Sequence, residues 1–96
     1  MRRARWTKLA QADFARIDDF YQDLNAEFAD RLGHAALVAS RFLAENPRAG
    51  AVLEEEVRKW RITSFEYVLL YRIAGNGIEV LRMHHARQNW RPVREL

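Results

Sequence analysis

Phe65-Glu66-Tyr67-Val68-Leu69-Leu70-Tyr71-Arg72-Ile73-Ala74-Gly75-Asn76-Gly77-Ile78-Glu79-Val80-Leu81-Arg82-Met83-His84-His85 is the stretch whose reading decides the fold. Gly75-Asn76-Gly77 is the strongest turn signal in the chain, because Gly and Asn tolerate the positive φ that tight hairpins demand. Residues 65–73 are dense in aromatic and aliphatic side chains, as in a strand buried on both faces. Residues 78–85 read as the returning strand. The centre of the molecule is therefore expected to be an antiparallel pair.

Towards the N-terminus, Val57-Arg58-Lys59-Trp60-Arg61-Ile62 alternates basic and apolar residues, with Trp60 and Ile62 on one face. This is a third strand, with Trp60 expected in the core and Thr63-Ser64 as a tight connection. Glu54-Glu55-Glu56 reads as a solvated acidic stretch. Before it, Asn46-Pro47 ends a helix and Gly50 continues the turn. That helix carries the stripe Phe28, Leu32, Ala35, Ala39, Phe42, with Ala36 and Leu43 beside it. An earlier stripe, Ala10, Phe14, Ile17, Tyr21, Leu24, has the same helical period. Thr7 is its N-cap and Asn25 its break. Asp13, Arg16, Asp19 and Asp23 are expected on its other faces. Residues 3–6 can form a short first strand, and residues 86–96, with Pro92, read as a tail.

The pattern predicts one α+β domain over residues 1–96, in the order β-α-α-β-β-β. Two antiparallel helices would pack on one face of a small, mainly antiparallel sheet and bury both stripes. The chain has 96 residues, 49% of them hydrophobic and 30% charged, the balance of an ordinary globule. With no Cys there is no disulfide framework. No apolar run is long enough to span a membrane, and no signal-peptide core follows the basic N-terminus. A cytoplasmic protein is the expectation.

Charge is unevenly placed. Residues 1–56 carry 8 Lys or Arg against 10 Asp or Glu, whereas residues 57–96 carry 8 against 3. Seven of those last eight bases are Arg, which suits bidentate anion recognition better than Lys. Arg58, Arg61, Arg72, Arg82, His84, His85 and Arg87 would crowd one small sheet. Like charges on neighbouring strands repel, so a phosphate chain or an acidic partner would give them a reason to be there. The plainer alternative is that they are solvated, or paired with Glu66 and Glu79. Arg72, Arg82 and Arg87 are expected to serve target binding more than folding.

His84 and His85 should point to opposite sides of a strand, so they cannot share a metal, and no Asp or Cys completes a site. They read as packed or partner-binding residues, although either can in principle move a proton near neutral pH. Trp90, in Arg87-Gln88-Asn89-Trp90-Arg91-Pro92, can clamp a base or a partner, or fold back onto the sheet edge. No carboxylate pair, nucleophile motif, phosphate loop or cofactor motif is present. The target-binding candidates are thus Arg58, Arg61, Arg72, Arg82, His85, Arg87 and Trp90, with no catalytic or metal residue and no cofactor.

The order of elements and several segments resemble the RelE/ParE toxins of type II toxin–antitoxin systems. The segments are Ala10 through Tyr21, Asn46-Pro47-Arg48-Ala49-Gly50, Val57-Arg58-Lys59-Trp60, Tyr67-Val68-Leu69-Leu70-Tyr71-Arg72, and Ile78 through Trp90. The resemblance covers nearly the whole chain and rests on the ordered combination. It implies a compact toxin neutralised by an antitoxin whose C-terminal segment wraps the helices and sheet, with DNA contacted only through that antitoxin. RelE-like members cut mRNA on the ribosome with basic residues and a Tyr or His; ParE-like members poison DNA gyrase and lack that set. Nuclease members tend to carry Arg a few positions before the Tyr that Tyr71 resembles, where Val68 stands here. They often end the last strand with a catalytic Tyr, where Ala86 follows His85 here. The resemblance therefore implies the ParE-like branch, a gyrase inhibitor acting by binding. A ribosome-dependent mRNA endoribonuclease, built on Arg72, Arg82 and His85, is the alternative.

Overall fold

The computed structural model describes residues 2–88. The elements are β1 (Ala4–Trp6), α1 (Lys8–Leu24), α2 (Ala26–Glu45), β2 (Ala51–Glu54), β3 (Val57–Arg61), β4 (Tyr67–Ala74) and β5 (Gly77–His85). The strands form one sheet in the order β1-β5-β4-β3-β2, antiparallel except where β1 runs parallel to β5. The α+β class and the expected order hold, with one strand more than the sequence suggested. Ala51–Glu54 pairs with β3 at the sheet edge, and Glu55, at φ 46°, turns the chain within the acidic stretch.

The helix boundaries follow from local chemistry. Thr7 Oγ1 accepts the Ala10 amide at 3.1 Å, capping α1, and donates to Leu81 O at 3.1 Å, anchoring that cap to β5. Asn25 ends α1 and also begins α2, its side chain accepting the Phe28 amide at 3.0 Å. One residue between helices folds them back antiparallel, so that Tyr21 meets Phe28 and Gly33 meets Phe14. The helices lie over the β1–β5 side of the sheet. Their stripes close on Leu69, Tyr71, Ile78, Val80 and Met83, the centre of the core.

The central hairpin forms, but its first strand begins at Tyr67 rather than Phe65, and Ile73 near its end is exposed. Residues 67–71 are buried on both faces of the sheet. Gly77 is required by more than its turn, because a Cβ there would collide with the Arg3 backbone, whose carbonyl takes the Ile78 amide. In β5 the register slips: Leu70 faces Arg82 while Tyr71 faces Val80, so Leu81 is an extra, bulged residue.

Past the three residues of β1, the outer edge of β5 has no strand beside it. Here α1 takes over. Thr7 N donates to Val80 O, and the Asp13 carboxylate accepts the Met83 amide at 3.0 Å. Asp13, expected on an outer face of α1, is buried at 1% exposure. It substitutes for the missing strand and satisfies an edge amide that would otherwise be orphaned.

Candidate functional site

Both helices lie on one face, and the opposite face of β3, β4 and β5 is a shallow groove. Cross-strand register builds it in rows: Lys59 beside Leu70, then Arg61 beside Val68 beside His84. Val68 and Leu70 form a buried apolar floor, Lys59 and Arg61 one wall and His84 the other, with Leu53, Ala86 and Gln88 at the rim. His84 Nδ1 lies 2.8 Å from His85 O, so Nδ1 carries the proton. Burial holds its pKa below the ordinary histidine value, although the bond to His85 acts the other way. The ring is therefore neutral at neutral pH. The groove offers positive charge over an apolar floor; among the described residues its lining includes neither a carboxylate nor a tyrosine.

The expected basic set does not gather there. Of the six target-binding candidates among the described residues only Arg61 lines the groove, and its guanidinium meets Glu66 at 2.7 Å. Arg72 sits towards the hairpin end and meets Glu79 across the strands at 2.9 Å. Pairing with Glu66 and Glu79, the plainer of the two readings, thus accounts for these two. Arg58 stands opposite Tyr71 on the helix face and donates to Gly50 O at 2.8 Å and Arg48 O at 3.3 Å, bracing the turn before β2. Arg87 is exposed after β5. Trp90 lies outside the described residues.

Arg82, expected to serve target binding more than folding, is tied into the fold. Its guanidinium grips Asp13 through two bonds, Nε to Oδ2 at 2.7 Å and Nη2 to Oδ1 at 3.0 Å. Burial alone would push the Asp13 pKa up. Hydrogen bonds from Arg82, the Met83 amide and Arg16 outweigh it, and the carboxyl ends below its usual value. The same bond raises the Arg82 pKa. Arg82 is a structural residue first.

Lys59 is the groove residue that the sequence reading passed over. Alternation would have found it, since Lys59 and Arg61 are two apart and share a face, whereas Arg58 and Arg61 cannot. His85 points away from the groove and packs edge-on against Tyr67, ring centroids 5.1 Å apart. The two histidines point to opposite sides of the strand, as expected, and among the described residues no group of three or more potential metal ligands occurs.

Tyr71 is also committed to structure. Its hydroxyl donates to Pro47 O at 2.7 Å and accepts the Gly50 amide at 2.9 Å. Burial raises its pKa, opposed by the Gly50 bond and by Arg58. Gly50 has no room for a side chain, since a Cβ would lie 2.6 Å from that hydroxyl.

A second concave surface lies on the helix face. The helices leave β3 partly uncovered, and α2 forms one bank of a trough with Ala35, Val38 and Phe42, facing Trp60, Ile62 and Thr63. Phe42 and Val38 are 45% and 44% exposed, and Phe42 stacks on Trp60 at 5.4 Å. Trp60, expected in the core, is half-buried at the rim of this trough. An apolar channel of this kind suits an amphipathic or extended peptide.

A sequence model of the family described as "ParE toxin of type II toxin-antitoxin system, parDE" matches residues 4–90. No curated protein matches the chain. Among solved structures, the chain is similar to one described as "Chromosomal ParDE TA system from P. aeruginosa", with a TM-score of 0.77 and 25% identity over 91% of this chain and 98% of that one.

Proposed function

The chain belongs to the ParE toxin family of type II toxin–antitoxin systems, and we propose that it arrests growth in the cytoplasm by binding DNA gyrase, without cutting RNA, until a cognate antitoxin neutralises it. The observation that carries this reading is the make-up of the sheet groove. Cleavage of RNA by its own 2′-hydroxyl needs a base, an acid and charge at the phosphate. Lys59 and Arg61 supply charge, yet Val68 and Ala86 occupy the lining where nuclease relatives would carry polar groups. His84 is buried and already bonded to a carbonyl. The arrangement suits recognition of an acidic surface by Lys59 and Arg61, with Arg87 at its margin. Trp90, outside the described residues, remains a candidate contact in the same proposal.

The antitoxin reading draws on the trough. Its apolar banks match the side chains of an amphipathic segment, and the positive balance of residues 57–96 matches acidic residues flanking them. The solved relative comes from a ParDE system, which is a toxin with its antitoxin. Induction of the chain without its antitoxin tests the target. DNA-damage signalling should rise before protein synthesis falls; loss of translation first would favour the ribosome-dependent nuclease. That alternative keeps one supporting observation, the convergence of Lys59, Arg61 and His84 in one groove.

A further inference from the structure

A second pocket adjoins the groove at the opposite end of the hairpin from its turn, between α1 and the turn after β5. Arg16, Phe20, Tyr67 and His85 wall it, together with His84 and Gln88, which it shares with the groove. Bonds already made fix which end of each polar group faces out. His85 Nδ1 accepts the Arg87 amide at 3.1 Å, so the ring carries its proton on Nε2. Gln88 Oε1 accepts the His85 amide at 2.9 Å, which leaves the side-chain NH2 as the outward end. The hydroxyls of Tyr67 and Tyr21 meet at 3.1 Å, and either can be the donor. Burial, with the Tyr21 bond, raises the Tyr67 pKa and keeps it a phenol.

Arg16 adds charge. It donates to Asp13 at 3.1 Å, a carboxylate that Arg82 also holds. The Arg16 side chain is 65% exposed. Arg16, His85 and Gln88 thus present donors, and among the described residues no carboxylate lines the pocket. A group that only accepts hydrogen bonds is what such a surface recognises.

We propose that this pocket binds a single carboxylate, the side chain of a Glu or Asp in a partner protein, with an apolar neighbour of that residue covering the exposed ring of Phe20. The charge around the pocket selects a carboxylate over a nucleic-acid strand. Asp19 and Asp23 stand exposed on the same helix, and a run of phosphates would meet them. The inference rests on the reading that the chain works by engaging other proteins, but it is measured apart from gyrase, so either can fail alone.

The test is NMR on the full chain, following the His85 ring and the Gln88 side-chain amide. The probes are acetyl-Leu-Glu-amide, acetyl-Leu-Gln-amide, inorganic phosphate and an eight-nucleotide oligothymidine. The Glu peptide should shift both signals, and the Gln peptide should bind roughly tenfold more weakly or worse, the usual value of a hydrogen bond to a charged group. Gln88→Glu keeps the acceptor for the His85 amide but puts an oxygen where the donor was, and should abolish the response. His85→Phe keeps the ring against Tyr67, removes the Nε2 donor, and should weaken it as well. Equal shifts with both peptides, unchanged binding in either variant, or tighter binding of the oligothymidine would each overturn the proposal.

Discussion

Arg82 and Asp13, 69 residues apart, close on each other through two hydrogen bonds where α1 crosses the open edge of β5. The Asp13 side chain is 2% exposed and that of Arg82 23%. Removing the arginine leaves a buried carboxylate with only Arg16 and the Met83 amide. Breaking such a pair costs roughly 3–5 kcal/mol, and the low end applies because those two donors remain. Arg82→Ala is therefore expected to lose about 3 kcal/mol in urea denaturation. Arg87→Ala should stay within about 0.5 kcal/mol of the parent. Equal stability of the two variants would remove the structural role of Arg82.

Stability should fall with acid over two pH ranges. The His84 pKa is lowered in the folded state. The unfolded chain therefore binds more protons as pH falls below the ordinary histidine value of 6.5, and stability declines from there. The Asp13 pKa is lowered as well. Its contribution is full above the ordinary value of 3.8 and is lost as pH falls through the folded value. In denaturation curves taken from pH 8 to pH 2, His84→Gln should flatten the upper decline and Asp13→Asn the lower one. A parent whose stability is constant over that range would contradict both.

Tyr71 ties the turn after α2 to the sheet, so Tyr71→Phe should cost about 1–3 kcal/mol by leaving Pro47 O and the Gly50 amide unmatched. Hydrogen exchange at the Gly50 amide is the direct reading, and it should accelerate in the variant far more than exchange at Leu69. Gly50→Ala should destabilise too, because the new methyl meets the tyrosine hydroxyl.

Trp60 stacks on Phe42 at the rim of the apolar trough. Trp60→Ala should cost less stability than the roughly 3–5 kcal/mol of a fully buried tryptophan. Antitoxin affinity should fall by about 2 kcal/mol or more, as for a central aromatic anchor. Calorimetry against the antitoxin, beside a melt of the free variant, separates the two. Unchanged affinity in a folded variant would move the antitoxin elsewhere.

Much of the fold was legible because its signals are local. The stripes of α1 and α2, the caps Thr7 and Asn25, and the Gly75-Asn76-Gly77 turn each act within a few residues. β2 was not legible, since Ala51, Val52 and Leu53 are exposed on an edge strand and show no alternation. Asp13 carried a signal that went unused: it stands three residues after Ala10 and four before Ile17, on the buried stripe. What it meets there could not be read, because the partners lie at the far end of the chain. The candidate site fared less well for the same reason. Arginines are visible in a sequence, but Glu79 beside Arg72 and Asp13 beside Arg82 become visible only through strand register and a bulge.

The proposed function has the chain bind gyrase without cutting RNA. Purified chain should be added in parallel to a gyrase supercoiling assay and to programmed ribosomes carrying a defined mRNA. Supercoiling should be inhibited, less so with Lys59→Glu and Arg61→Glu together, and the mRNA should stay intact at every codon. Codon-specific cleavage of the mRNA that the same double substitution abolishes, with gyrase unaffected, would contradict it.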